Sequence, residues 1–292
     1  MAGMTKLAGV GFSALALVLA AGATAASPDV ASMNLQAADV PGGKIVSQHA
    51  VTEKGYTAAY IRSFAFSAPT GSSRLVLLEA ETRLASTALF ATTDVTLAQK
   101  AFRSTLGRKL FIASIAKSAK VSAKLIVVGK VQAVAGYDQG FSVPVSLPIK
   151  SKRIYETLLF LRLDRVVVFM FGAGLRPIPA GSLGKYVSAL AGHIGTELAP
   201  IAVTPPTITG TAQQGQTLTA TPGTWTAADA TFTYQWEKCD AAGANCVAVA
   251  GATAQTYLVA PTDVGATFVV VVTAANRFGA PTGTSTATPV VT

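Results

Sequence analysis

Glu79 and Glu81 stand two residues apart in a stretch, Arg74 to Leu84, that alternates apolar and polar side chains. On an extended strand such residues share a face with side chains about 7 Å apart, a separation that paired glycosidase carboxylates use. Such chemistry also needs a cleft. Val76, Leu78, Ala80, Thr82 and Leu84 take the buried face, so Glu79, Glu81 and Arg83 are expected on a wet one. Cross-strand pairing of the carboxylates with Arg62 or another basic residue is the plainer expectation. His193 lies at the edge of an apolar helical stripe, and His49 lies in a short strand with no acidic or nucleophilic motif beside it. No G-x-S-x-G elbow follows the N-terminal segment, so nucleophilic catalysis lacks a candidate. A secreted hydrolase using Glu79, Glu81 or His193 stands as the rival to a binding function.

Two glycine-rich stretches fail as nucleotide sites. Gly172-Ala173-Gly174-Leu175-Arg176-Pro177 follows an apolar strand but lacks the third glycine, and Pro177 and Pro179 oppose the helix whose N-terminus would receive a phosphate. Gly181-Ser182-Leu183-Gly184-Lys185 has Pro179 where a phosphate loop needs glycine and Tyr186 where it needs a magnesium-binding hydroxyl. Neither implies a cofactor. The two cysteines, Cys239 and Cys246, read as a disulfide, since a zinc site needs further ligands and both histidines lie far away in sequence.

One run could bind something. Lys100, Arg103, Arg108, Lys109, Lys117, Lys120, Lys124 and Lys130 follow one another with no Asp or Glu between Lys100 and Lys130. Phe102 and Phe111 are its only aromatic residues, too few for a base-stacking platform, so specific nucleic-acid binding is not expected. A merely solvated basic surface is the plainer expectation; the partner such a run would meet is an anionic cell-wall polymer, a lipid headgroup or a surface protein, with Lys100, Arg103, Arg108, Lys109, Lys117, Lys120 and Lys124 as the contact residues. The surrounding charge agrees. Ser27 to Thr204 carries 20 basic against 10 acidic residues, a balance of +10, whereas Pro205 to Thr292 carries 2 against 4, a balance of −2.

The elements that hold these residues follow from pattern. Met1 to Lys6, the apolar run Leu7 to Ala23 and Ala23-Thr24-Ala25 read as a signal peptide over residues 1–25. The strongly apolar Phe12 to Ala20 is shorter than the roughly 20 residues a spanning helix needs. The mature chain is therefore expected to be secreted, with cell-surface association possible and no transmembrane segment. Residues 30–202 read as an α+β domain. Lys44 to Val51, Tyr60 to Ser67 and Arg74 to Leu84 form a meander turning at Gly55 and at Pro69-Thr70-Gly71. Val95, Ala98, Phe102, Leu106, Leu110 and Ala113 then draw one stripe along a single helix, Asp94 to Ala113. Gly107 marks a kink or a close backbone approach within it.

Further strands follow at Leu125 to Ala135, Phe141 to Leu147, Arg153 to Leu163 and Val166 to Phe171, the last apolar throughout and so expected to be central and covered on both faces. A final helix starting at Ser182 buries Leu183, Tyr186, Val187, Leu190, Ile194 and Leu198. The fold expected is an antiparallel sheet with two packed helices. With its Asp39-Val40-Pro41-Gly42-Gly43 lead-in, this order of elements resembles the PsbP-like fold of exported bacterial envelope proteins. That resemblance implies no enzymatic centre and supplies no functional residue. A lipid carrier would need an apolar cavity between the sheet and its helices.

Pro205-Pro206 separates residues 206–292, where short strands alternate with Gly, Pro and Asp turns as in an all-β sandwich. Pro206-Thr207-Ile208-Thr209-Gly210, Gly215-Gln216-Thr217-Leu218-Thr219, Tyr234-Gln235-Trp236-Glu237-Lys238-Cys239 and Asp263-Val264-Gly265 resemble the phrases of the Ig-like modules of bacterial surface proteins. The resemblance implies an Ig-like β-sandwich for adhesion, spacing or partner contact. Thr267 replaces the corner tyrosine and Val269 the second inter-sheet cysteine of antibody-type domains, so Cys239 and Cys246 are left to staple the hairpin Asp240 to Asn245. Closing that loop contributes on the order of 2.5 kcal/mol in the chain-entropy description.

Overall fold

The computed structural model describes residues 28–67, 75–227 and 229–292; the expected leader over 1–25 and the Pro69-Thr70-Gly71 turn lie outside the described residues. The described chain divides into two compact units, Asp29–Glu197 and Leu198–Thr292.

In the first unit a single helical turn, α1 (Val30–Met33), precedes β1 (Gly43–Val51), β2 (Tyr56–Phe66) and β3 (Leu75–Ala85). Then come α2 (Ala88–Arg103), α3 (Thr105–Ala119), the short β4 (Val127–Val128) and β5 (Gln132–Ala133), β6 (Gln139–Ile149), β7 (Lys152–Leu163), β8 (Val166–Gly174) and α4 (Gly184–Leu198). All pairings are antiparallel, in the order β1-β2-β3-β8-β7-β6-β4, with β5 also bonded to β6. The all-apolar β8 is central, and Val166, Val167 and Val168 are fully buried although they point alternately to opposite faces.

Helices cover both faces of this sheet. On one, Val95, Phe102 and Ile115 pack over Phe141, Val143, Phe160 and Val167. On the other lie the segment around α1 and the helix α4. Asn34 Nδ2 donates to the Tyr60 and Ala80 carbonyls, and the α4 lead-in residue Leu183 meets Gly172 so closely that a Cβ there would stand 3.1 Å from it. The expected single helix is two. Ser104 adopts extended backbone (φ −86°, ψ 147°), ends α2, and accepts the Gly107 N–H at 2.9 Å as the N-cap of α3. A Cβ on Gly107 would lie 2.3 Å from the Ala101 carbonyl oxygen, so the close backbone approach at this glycine is what lets the two helices fold together. The final helix also starts differently from expectation: Ser182 sits inside a 3-10 turn, Ala180–Leu183, that runs into α4.

The second unit is built of β9 (Ala202–Thr204), β10 (Thr207–Thr209), β11 (Thr217–Thr221), β12 (Thr224–Trp225), β13 (Thr231–Cys239), β14 (Val247–Ala248), β15 (Thr256–Leu258), β16 (Thr267–Ala275) and β17 (Thr282–Thr284). A sheet of order β10-β11-β15 and one of order β14-β13-β16-β17 share a core, with β9 paired to β12 beside them. Trp236 is completely buried among Leu218, Phe268, Val270 and Val272, and its indole donates to the Ala254 carbonyl at 2.9 Å. Cys239 and Cys246 form a disulfide. The loop it closes is further held by Asp240, whose carboxylate accepts from Ala242 N, Ala244 N and Asn245 Nδ2. Thr267 donates to the Asp240 carbonyl at 2.8 Å, so its hydroxyl ties β16 to the stapled loop.

Candidate functional site

The basic run falls on a helical hairpin and the loop after it. Thr87 caps α2 by accepting the Phe90 N–H at 3.1 Å, and α3 closes at Lys120, whose left-handed backbone (φ 54°) returns a bond to the Ala116 carbonyl. The inward faces join through Phe102 and Phe111, ring centroids 4.8 Å apart and edge to face, while Phe102 also meets Phe160 at 5.3 Å and Phe160 stacks on Phe141 at 4.6 Å. This aromatic cluster anchors the hairpin to the sheet and fixes which side chains point outward.

Lys100, Arg103, Lys109, Lys117, Lys120 and Lys124 are all exposed. Among the described residues none of them forms an ion pair, and the stretch between Lys100 and Lys130 holds no acidic residue. Arg108 is different. Its guanidinium donates to the Gly129 carbonyl at 2.9 Å and to the Val128 carbonyl, tying the start of α3 to the end of β4 and the residue after it. It belongs to the scaffold that presents the other cations. Between the cations stand exposed leucines: Leu106 and Leu110 are 68% and 63% exposed on α3, and Leu89 is 75% exposed on α2. The expected stripe that buried Leu106 and Leu110 with Phe102 is overturned, because the break at Ser104 resets the helix phase. Ser104 and Gly107, three residues apart, were the available signal for a new helix start.

The acidic strand face is not the wet one expected. Glu81 pairs in register with Phe169, and Phe169 with Phe160, so Glu79, Glu81 and Arg83 share the face that α2 roofs. Alternation assigns faces without saying what covers them. Glu79 is only 7% exposed and accepts from Ser63 Oγ at 2.6 Å. Burial pushes its carboxyl up to about 7; the Ser63 bond works the other way, and Glu81 adds to the rise. Glu81 takes both prongs of Arg83, at 2.8 and 3.0 Å, and the same guanidinium reaches Glu53 at 3.5 Å and lies 4.5 Å from the Phe169 ring centre. Tyr56 donates to Asp94, linking this network to α2. Arg62, the expected cross-strand partner, pairs in register with Ala80, so it points to the opposite face. There it donates to the Leu35 carbonyl, Gln36 and Gln48.

The histidines are also placed. His49 lies on the exposed edge strand β1, its Nδ1 3.3 Å from Ser47 Oγ. His193 Nε2 stands 2.9 Å from the Asp39 carboxylate, a partner 154 residues away that the sequence did not suggest. The same Asp39 oxygen accepts the Gln36 N–H at 2.6 Å, and no hydroxyl bonds His193 among the described residues. The pair fastens α4 to the turn Ala37–Asp39 and lacks the nucleophile a triad requires.

A cavity of about 200 Å³ opens where Ser142, Pro144, Tyr155, Glu156 and Thr157 face Ile178. Neither Glu79, Glu81 nor His193 lines it, nor does any residue of α2 or α3. Burial pushes Glu156 up to about 7. Among the described residues no group of three His, Cys, Asp or Glu could hold a metal ion, and no helix is long and apolar enough to cross a membrane.

No family model and no curated protein matches the chain. Among solved structures, the extracellular domain of PknH from Mycobacterium tuberculosis is similar to it at 10% identity and a TM-score of 0.37, over 59% of this chain and 97% of that one. A likeness that low carries no argument about this chain.

Proposed function

We propose that the chain is an exported binding protein without a catalytic centre, whose α2–α3 hairpin contacts an anionic component of the cell envelope. Its C-terminal unit is an Ig-like sandwich that serves as an interaction or spacing module. The observation that carries this reading is the contrast in charge usage on the hairpin. Among the described residues, the six exposed cations of the hairpin and the loop after it have no carboxylate partner, while Arg108 beside them is fixed to backbone carbonyls. Unpaired surface charge of one sign concentrates counter-charge and steers an anionic partner. Export rests on the leader pattern over 1–25, and the Cys239–Cys246 disulfide suits an oxidising compartment. The Ig-like reading rests on the sequence phrases and on the shared core around Trp236.

The test is co-sedimentation of the protein with isolated cell envelopes, wild type against the triple variant Lys109→Glu, Lys117→Glu, Lys120→Glu. Retention is expected to fall at least about tenfold, and wild-type retention to fall with added salt. Unchanged retention in the triple variant overturns the reading.

A further inference from the structure

Charge alone does not distinguish a polymer from a membrane. The leucines do. A polyanion in water offers phosphate or carboxylate groups and gains nothing from meeting apolar side chains, whereas the boundary of a bilayer offers headgroups and acyl chains at one depth. The outward stripe of α3 runs Leu106, Leu110, Ala113 and Lys117, at spacings of four, three and four, and every one of these residues is exposed. Lys109 adjoins Leu110 on the same outward surface. The opposite side of the helix carries Phe111, Ile112 and Ile115, which pack on the sheet. α3 therefore has two apolar sides, one explained by the core and one left exposed among the described residues. The outer stripe of α2, Leu89, Thr93, Leu97 and Lys100, repeats the pattern, and both helices lie on the same face of the sheet, so the two stripes look away from it together. A single exposed leucine needs no explanation, but Leu106 and Leu110 stand one helical turn apart with cations beside them, and adjoining apolar side chains rimmed by charge are the pattern of an interaction surface.

We infer that the α2–α3 hairpin docks on an anionic lipid bilayer, with Leu106 and Leu110 entering the headgroup region and Arg103, Lys109 and Lys117 meeting the lipid phosphates. The inference rests on the proposed binding role of the same hairpin and names its partner. Lysine and arginine suit this geometry because their alkyl stems lie along the apolar boundary while their charges stay in the headgroups. The hairpin's two helices, capped at Thr87 and Ser104 and clamped by Phe102 on Phe160, hold the leucines at fixed spacing. The docking surface thus exists before the membrane is met.

The experiment is vesicle flotation of the exported protein, its N-terminus defined by mass spectrometry, on phosphatidylglycerol–phosphatidylcholine vesicles and on phosphatidylcholine alone. Retention on a polyphosphate resin is measured in parallel. Leu106→Ser with Leu110→Ser is expected to lower partition to the anionic vesicles about tenfold or more, with polyphosphate retention unchanged. Lys109→Glu with Lys117→Glu is expected to lower both. Because all of these side chains point outward, unfolding midpoints should match wild type, and far-ultraviolet circular dichroism, which reads the helices of the first unit, verifies that each variant is folded. If the leucine variant partitions as wild type does, or if wild type binds polyphosphate but not anionic vesicles, the lipid inference is wrong while the anionic-binding reading stands. If wild type binds neither, both fall.

Discussion

Two groups of charge on one face of the first unit's sheet are used in opposite ways. On β3, Glu79, Glu81 and Arg83 sit under α2, and each meets a fixed partner: Ser63, Arg83 and the pair Glu81 and Glu53. On α2, α3 and the loop beyond, six cations are exposed and unpaired among the described residues. Charge locked into a buried network is committed to partners inside the fold; charge left in water can do work on something else. Carboxylates two residues apart invite a catalytic reading, yet here they are the structural group, and the plainer run of lysines is the one free to bind.

That contrast can be broken by mutation, beginning with the largest effect. Arg83→Ala leaves Glu81 and Glu53 without their buried counter-charge and should cost about 3 to 5 kcal/mol of stability in urea unfolding at neutral pH. A loss below about 1 kcal/mol would show that the β3 network is not structural.

Glu79→Gln reads the same network through pH. The Glu79 carboxyl rises from 4.5 to about 7 on folding. Between those values the native state holds a proton that the unfolded chain has released, so stability is greatest below the unfolded value and falls as pH rises through about 7. The wild-type protein should lose on the order of 3 kcal/mol across that window through this group. Glu79→Gln should flatten the profile and be the more stable protein above pH 7; Glu156, raised in the same direction, leaves a residual slope. An unchanged pH profile in the variant would remove Glu79 from the buried group.

Ser104→Ala deletes the cap at the hairpin break and should cost about 1 kcal/mol. Because it loosens the platform rather than the charges, vesicle partition should fall with it only slightly. Smallest of all, Lys117→Ala should change stability by less than about 0.5 kcal/mol, as expected of an exposed residue with no ion-pair partner among the described residues. A clear loss of stability there would mean that the hairpin cations are structural after all, and the comparison with β3 would collapse.

Pattern made the sheet legible and left its contacts obscure. The unbroken apolar run Val166 to Phe171 announces a strand covered on both faces, and β8 is that strand. Alternation along β3 sorted its side chains into faces, but it carries no information about a helix that returns to cover one of them, so the burial of Glu79 was invisible. The i, i+3, i+4 spacing from Val95 to Ala113 persists across Ser104 by coincidence, and it hid a break that Ser104 and Gly107 mark locally. Asp39 and His193 meet across 154 residues, a contact no local signal encodes. The basic run was plain to read, whereas the structural role of Arg108 and the exposure of Leu106 and Leu110 depend on where the helix turns.

The central claim is that the location of charge, and not its sum, makes the binding surface. Its most direct test compares anionic-vesicle and envelope binding of the triple variant Lys109→Glu, Lys117→Glu, Lys120→Glu with that of Lys44→Glu, Lys54→Glu, Lys152→Glu. The second set changes net charge equally at exposed lysines of the strand region. The account predicts at least about a tenfold loss for the hairpin variant and less than about a twofold loss for the other. Equal losses in the two variants, or none in the first, would contradict it.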